Sequence, residues 1–189
     1  MSIKEIKTAI GITTAGLIKS QTAFSLTNML LKNRELDFKM IFKEGPNQPL
    51  NREIIAEIAQ QMNCTHLLFI DSDMVFPTDA AQKLLEHDKD IIGVNYNMRQ
   101  FPLKSTVKTK KISENISEEL FQCDGVASGF MLIKIKIFKD LQKPWFHVGL
   151  NGTELEGHDY RFCRLAREAG YEVWCDSAIK IGHLGDFLY

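Results

Sequence analysis

HLLFIDSDMVFP (His66–Pro77) carries four consecutive apolar residues, Leu67 to Ile70, straight into two carboxylates, Asp71 and Asp73, with Ser72 alone between them. An apolar run without alternation is what a strand covered on both faces of a parallel sheet requires. The pair therefore closes a buried strand, at the end of an open α/β sheet where loops and helix N-termini converge and ligands bind. Residues i and i+2 of an extended chain point to the same side, so both carboxylates face one small volume. Two like charges so placed repel unless a cation lies between them or one becomes protonated, and a divalent ion that itself carries a diphosphate meets that need. The competing reading makes both residues ordinary turn aspartates ahead of a helix at Pro77.

On the N-terminal side, short apolar runs alternate with amphipathic stretches, as successive βα units do. TAIGITT (Thr8–Thr14) reads as a strand, Ser20 to Lys32 as a helix, DFKMIFK (Asp37–Lys43) as a second strand and Leu50 to Met62 as a second helix, with THLLFI as the third strand. Beyond the carboxylates, a helix is expected from Pro77 through Leu85 with Thr78 as its cap, then a fourth strand in DIIGVNY (Asp90–Tyr96). The second half differs. Lys104 to Glu119 is polar and reads as a solvated loop or edge hairpin. LFQCDG and GFMLIKI read as strands, Gly157 to Ala169 as a helix closed by Gly170, and YEVWCD and AIKIGH as two short strands. The fold class expected is α/β: a mostly parallel open sheet flanked by helices, Rossmann-like in its N-terminal half.

Size and composition bound the rest. A chain of 189 residues with 44% hydrophobic content fits a single domain with a proper core. A formal net charge of −1 gives no basic excess for nucleic acid, so no nucleic-acid partner is expected. No apolar run approaches the roughly 20 residues of a membrane span, and MSIKEIKTAIGI lacks a signal-peptide pattern, so a cytoplasmic location without an integral membrane segment is expected. Cys64, Cys123, Cys163 and Cys175 are scattered with no CxxC pair and read as buried hydrophobes in a reducing compartment.

Two later stretches carry further chemistry. In the helix starting near Gly157, Asp159 falls in the first turn, where the macrodipole favours an anion, and it shares the inward stripe of Phe162, Cys163 and Ala166. It is a candidate general base or merely a helix cap, with Glu156 and His158 as alternatives for the same work. His183 ends AIKIGH between Gly182 and Gly185, either as a metal ligand or as a hydrogen-bonded structural histidine. Thr13 and Thr14, at the end of the first strand, face a ligand or are ordinary strand-end threonines; Ser128 and Gly129 allow a close backbone approach; Trp145 and Phe146 offer an apolar platform or pack in the core.

Taken together, LLFIDSDMVFP, GHDYRFCRLAREAGYEVWCD and IKIGHLG, with DIIGVNYNMR and GVASGFMLIK between them, resemble the glycosyltransferases of the GT-A fold. The likeness is to small bacterial, phage and viral members related to glycosyltransferase family 2, and runs from IGITT to His183. It implies one nucleotide-diphospho-sugar transferase domain over residues 1–189, with a nucleotide-binding half to about residue 100 and an acceptor and catalytic half after it. The resemblance implies metal-dependent, hexosyltransferase-type transfer from a UDP- or GDP-sugar to a hydroxyl of a glycan, lipid-linked or protein acceptor. Asp73 would bind Mn²⁺ or Mg²⁺ with His183 completing the metal site, Asp71 and Ser72 would meet the donor or the metal shell, and Asp159 would deprotonate the acceptor. The sequence departs from the family pattern where His158 stands for a glutamate, where Asn51–Arg52 reverses the expected order, and where FKEG replaces the usual acidic residue after the second strand. Arg52 is kept as a diphosphate or base contact.

Other classes share parts of the pattern. DSDMV fits the Asp-x-Asp of haloacid-dehalogenase phosphatases, where the first aspartate is a nucleophile assisted by Mg²⁺, but that motif normally follows the first strand. Sugar-phosphate nucleotidylyltransferases share a related fold but carry a glycine-rich, basic signature absent from TTAGLIKSQ (Thr13–Gln21). A non-catalytic nucleotide-sugar-binding protein is the remaining alternative.

Overall fold

A computed structural model describes residues 6–109 and 119–185; the middle of the polar 104–119 segment lies outside the described residues. The first half follows the sequence reading closely: β1 (Lys7–Thr14), α1 (Ser20–Lys32), β2 (Asp37–Glu44), α2 (Gln48–Gln61) and β3 (His66–Asp71). Then come β4 (Met74–Val75), α3 (Ala80–Glu86), β5 (Ile91–Val94), β6 (Leu120–Gln122), β7 (Phe130–Lys134) and α4 (Lys136–Asp140). β8 (Gly149–Asn151), β9 (Glu154–Glu156), α5 (His158–Glu168), β10 (Val173–Asp176) and β11 (Gly182–His183) complete the described chain. No described helix is long and apolar enough to cross a membrane.

Among the described residues, a seven-stranded sheet runs in the order β2-β1-β3-β7-β5-β10-β6. β2, β1, β3, β5 and β10 share one direction, while β7 and β6 run against their neighbours. The sheet is thus mostly parallel but interrupted: β7 is inserted antiparallel between β3 and β5. The chain moves to opposite sides of β1 when it makes β2 and β3, so the switch point of the sheet lies between β1 and β3, with Thr13 in register with Asp71.

The unalternating run of β3 is explained by burial on both faces. Leu67 and Phe69 join the core beneath α2 and α5, while Leu68 and Ile70 join the core beneath α1 and α3. Beneath α2 the sheet has no spare room. A Cβ on Gly11 would stand 2.4 Å from Ile55 Cγ2, so glycine is what lets the helix approach β1. Asn47 starts α2 by accepting the Leu50 amide on its side chain at 3.1 Å, and Pro49 sits in the first turn, where its missing N–H costs nothing.

Several expectations shift. α3 starts at Ala80 rather than Pro77, and its cap position is Asp79 rather than Thr78; the Thr78 carbonyl accepts from Asn33 Nδ2 at 2.8 Å and ties this segment to the end of α1. AIKIGH is a strand only at Gly182–His183, which pairs with β4 in a separate two-stranded ladder. Trp145 and Phe146 are core residues, 3% and 2% exposed, packed with Phe138 and Phe162, and Glu53 accepts both of their amides, so neither offers a sugar platform. The four cysteines are buried and free.

At the opposite end of β3 from the carboxylates, His66 is 5% exposed. Burial, reinforced by the Lys134 charge, pushes its pKa from 6.5 down to about 4. Between these values the unfolded chain holds a proton that the folded chain does not, so stability falls as pH drops through this window. We expect a slope of up to roughly 1.4 kcal/mol per pH unit. Urea titrations at about pH 5 and about pH 7 measure it, and His66→Gln flattens the difference.

Candidate active site

The end of β3 opens into a cleft of about 370 Å³ lined by residues from both halves of the chain. β1 contributes Thr13, and the turn after β3 contributes Asp71, Ser72 and Asp73. α2 contributes Gln48 and Arg52, and the start of α5 contributes His158 and Asp159. Ser128 and Gly129 reach the same place because β7 runs antiparallel to β3, so its beginning lies beside the end of β3; the Asp71 amide donates to the Gly129 carbonyl at 2.9 Å. The β4–β11 ladder sets His183 opposite Met74, and the Leu184 amide donates to the Asp73 carbonyl at 2.9 Å, which brings His183 to the cleft.

Larger hollows lie elsewhere, at about 660 Å³ around His66 and Lys134 and about 820 Å³ beside Arg164 and Glu156. The smaller cleft is where the paired carboxylates meet Arg52, His158 and His183. Among the described residues, Arg52 Nη1, Gln48 Oε1 and Asp73 Oδ1 are buried there without a hydrogen-bond partner. A buried polar atom left unpaired costs about 1–3 kcal/mol, and these three are groups that a polar ligand in the cleft would satisfy.

Arg52 organises the interior side. Its side chain is 4% exposed, its Nη2 donates to Asp71 Oδ1 at 2.6 Å, and its guanidinium lies 5.1 Å from the centre of the Phe69 ring. Thr13 Oγ1 also donates to Asp71 Oδ1, at 3.3 Å. Arg52 Nε donates to His158 Nε2 at 3.2 Å. Burial, with the Arg52 charge, holds His158 below its ordinary pKa against the pull of Asp159 and Asp71. A neutral imidazole that accepts at Nε2 carries its proton on Nδ1, so His158 buttresses Arg52 and its Nε2 is occupied.

The outer side is built on Asp73. Its Oδ2 meets Arg99 Nη1 at 2.9 Å and His183 Nε2 at 3.6 Å. Burial opposes ionisation of Asp73, yet His183 and Arg99 hold its pKa below the ordinary carboxylate range. His183 is raised in turn by its hydrogen bond to Asp73, against burial. Tyr96 links the two sides: its ring packs edge-on to His183 and its Oη accepts the Gly129 amide at 3.1 Å. A Cβ on Gly129 would stand 2.3 Å from that oxygen, so this position requires glycine. Burial, then the charges of Asp71 and Asp159, raise the Tyr96 pKa well above 10 and keep it neutral.

The fold thus brings Thr13, Arg52, Asp71, Ser72, Asp73, Ser128, Gly129, Asp159 and His183 to one cleft. Thr14 does not line it; its hydroxyl donates to the Leu17 carbonyl at 2.6 Å and accepts the Gly16 amide at 3.1 Å, closing the loop after β1. Glu156 faces away, held by Arg164 at 3.0–3.2 Å. Asp159 Oδ2 accepts the Ser128 amide at 3.4 Å and its Oδ1 accepts the Tyr160 amide at 2.9 Å; the helix cap itself is Gly157. Gln48, Tyr96 and Arg99 are cleft residues that sequence reasoning did not single out. The signal for the last two was their place in DIIGVNYNMR, at and just beyond the end of the expected fourth strand.

Among the described residues, no group of three His, Cys, Asp or Glu side chains is gathered tightly enough to hold a metal alone. Asp71, expected to share in ligation, is turned toward Arg52 and Thr13. Asp73 and His183 are adjacent, and Asp73 Oδ1 is unpartnered. An oxygen donor with an imidazole fits a Mn²⁺ or Mg²⁺ ion that takes its remaining ligands from phosphate and water.

The architecture defines a class: an α/β domain with helices on both faces of a mostly parallel sheet and a polar cleft at its switch point. No protein-family model and no curated protein sequence matches the chain. Among solved structures, it is similar to A197 from STIV, with a TM-score of 0.69 at 20% identity over 96% of this chain and 87% of that one. It is also similar to a UDP-glucose pyrophosphorylase complexed with UDP-glucose, at 0.55 and 9% identity over 94% and 92% of the two chains. The inositol-1-phosphate CTP transferase from T. maritima superposes at 0.50 and 13% identity over 95% and 89%. At these identities the likeness is one of fold.

Removing Arg52 tests the interior side. Arg52→Gln leaves Asp71 without its cation beside the apolar strand end, and we expect a loss on the order of 3 kcal/mol in urea unfolding. The companion Asp71→Asn in the same background recovers part of it.

Proposed function

We propose that this chain is a metal-dependent glycosyltransferase that moves a sugar from a nucleoside-diphosphate sugar, UDP- or GDP-linked, to an acceptor hydroxyl. The observation that carries this reading is the cluster of unpaired buried atoms, Arg52 Nη1, Gln48 Oε1 and Asp73 Oδ1, around one cleft at the switch point. A nucleotide diphosphate supplies acceptors for the arginine, and a divalent ion engages Asp73 and His183. The fold shared with a structure that holds UDP-glucose supports the same ligand class.

In this reading the diphosphate lies along Arg52, Asp73 and His183. As the bond from the sugar's anomeric carbon to the diphosphate oxygen breaks, its electron pair stays on the diphosphate, and the Arg52 charge stabilises it where it grows. The bound ion would add further charge stabilisation at the same place. Asp159 takes the acceptor proton as the acceptor oxygen bonds to the anomeric carbon. His158, proton on Nδ1 and Nε2 bonded to Arg52, positions the arginine and leaves proton removal to Asp159. Tyr96 and Gly129 fix the backbone on which the donor rests. The acceptor is a glycan, a lipid-linked sugar or a protein hydroxyl, and the enzyme works in the cytoplasm.

Nucleotidyl transfer is the second reading, favoured by the names of two structures that share the fold. Against it, the loop after β1 carries no arginine, and its single lysine, Lys19, follows a turn closed by the Thr14 hydroxyl. A phosphatase using Asp71 as nucleophile is disfavoured by the short Arg52 contact on that carboxylate.

Thermal denaturation with UDP or GDP, with and without Mn²⁺, tests the proposal. At ~100 Kd of ligand the folded state gains about 2.7 kcal/mol, a shift of several degrees. We expect that shift only when metal and nucleotide are both present; its absence for every nucleotide sinks the transferase reading. Release of nucleoside diphosphate from a nucleotide sugar, against release of pyrophosphate from a nucleoside triphosphate with a sugar phosphate, separates the two transfers. Asp159→Asn should lower glycosyl transfer by about 10²–10⁴-fold with nucleotide binding near wild type. Lost binding would assign Asp159 a structural role.

A further inference from the structure

Arg99 stands outside the roles assigned so far. It lies beyond β5 in a segment held by an Asn97–Ser105 bridge and by the Met98 amide donating to the Lys104 carbonyl at 2.8 Å. Its Nη1 meets Asp73 Oδ2 at 2.9 Å and donates to the Leu184 carbonyl at 3.4 Å. The side chain is 50% exposed, against 4% for Arg52. One guanidinium is locked into the core and the other is held mainly by charge. Arg99 also stands on the wall between the catalytic cleft and a second cavity of about 340 Å³, so it has open space on two sides.

Each of the paired carboxylates therefore already has a cation: Arg52 for Asp71 and Arg99 for Asp73. The first is part of the fold. The second occupies the outer carboxylate, the one with a free oxygen and an adjacent imidazole that suit a divalent ion. A guanidinium and a divalent ion on one carboxylate repel, so the arrival of the ion drives Arg99 from Asp73. A half-exposed arginine moves at small cost, and the nearest new anion would be the diphosphate that accompanies the ion, which a guanidinium binds through paired N–H groups.

We propose that Arg99 is the resident counter-ion of Asp73: it competes with the divalent ion for that carboxylate and transfers to the diphosphate when metal and nucleotide bind together. The competition rests on the geometry at Asp73 alone, and the transfer step rests on the nucleotide-sugar reading. Arg99 thereby ties metal affinity to nucleotide arrival, keeping the metal weakly held until the donor is present.

The test uses Arg99→Gln and Arg99→Lys in the whole chain. Mn²⁺ alone, titrated without nucleotide and followed by electron paramagnetic resonance, should bind Arg99→Gln about tenfold more tightly than wild type, because a neighbouring cation shifts carboxylate charge equilibria by about that factor or more. Arg99→Lys, which keeps the charge, should stay near wild type. With Mn²⁺ saturating, UDP and GDP measured by calorimetry should bind Arg99→Gln about tenfold more weakly, the loss of one charge-assisted contact. Equal or weaker Mn²⁺ binding by Arg99→Gln overturns the competition. Tighter Mn²⁺ binding by Arg99→Gln in a protein that binds no nucleoside diphosphate upholds the counter-ion and overturns the transfer step together with the transferase reading.

Discussion

Arg52 and Asp71, 2.6 Å apart at the end of a strand with no solvent-facing side, form the contact on which the cleft is built. A carboxylate at that position needs a cation, and a cation buried there needs its other N–H groups engaged. The fold answers both needs through α2. Its Asn47 cap and Pro49 set where the helix begins, Gly11 lets it come close to β1, and Arg52 then lies over Phe69 within reach of Asp71 and His158. Nη1 is left without a partner, in a residue that lines the cleft.

The second determinant is the reversed direction of β7. Had this strand run parallel to β3, its beginning would lie at the His66 end of the sheet. Running antiparallel, it returns Ser128 and Gly129 to the carboxylate end, where Gly129 accepts from Asp71 and donates to Tyr96. The cleft therefore combines groups from both halves of the chain. Residues from before position 100 supply the cations and paired carboxylates; those from after it supply Asp159, His183 and the close-approaching backbone.

Much of the first half could be read from sequence because its structure is local. Leu67 to Ile70 announce a strand buried on both faces, and the helical spacing in α1 and α2 is carried by neighbouring residues. Asp71, Asp73, Arg52, Asp159 and His183 were all legible as candidates from residue type and position. Their partners were not. The Arg52–His158 hydrogen bond joins residues 106 positions apart, and Arg99 reaches Asp73 only because of how a loop beyond β5 is pinned. The turn that Thr14 closes was not legible, because a strand-end threonine that faces a ligand and one that closes its own turn have the same local sequence. α3 begins later than Thr78, in a segment tied to α1 by a long-range bond from Asn33 that local propensity does not register. The antiparallel insertion of β7 is a property of topology, and periodicity is blind to strand direction.

The ladder that brings His183 to Asp73 is only two residue pairs long, supplemented by the Leu184 amide on the Asp73 carbonyl, Arg99 on the Leu184 carbonyl and a His183 Nδ1 contact with the Asn97 carbonyl. Asp71, by contrast, stands on a strand with six register pairs to β1 and five to β7. The two sides of the cleft therefore differ in cooperativity: the inner side opens only with the sheet, while the outer side can detach as a small unit of its own. Amide exchange at Leu184 accordingly reports a local opening, and exchange at Asp71 a global one. The molecule can lose its histidine from the cleft while still counting as folded by every measure of its core.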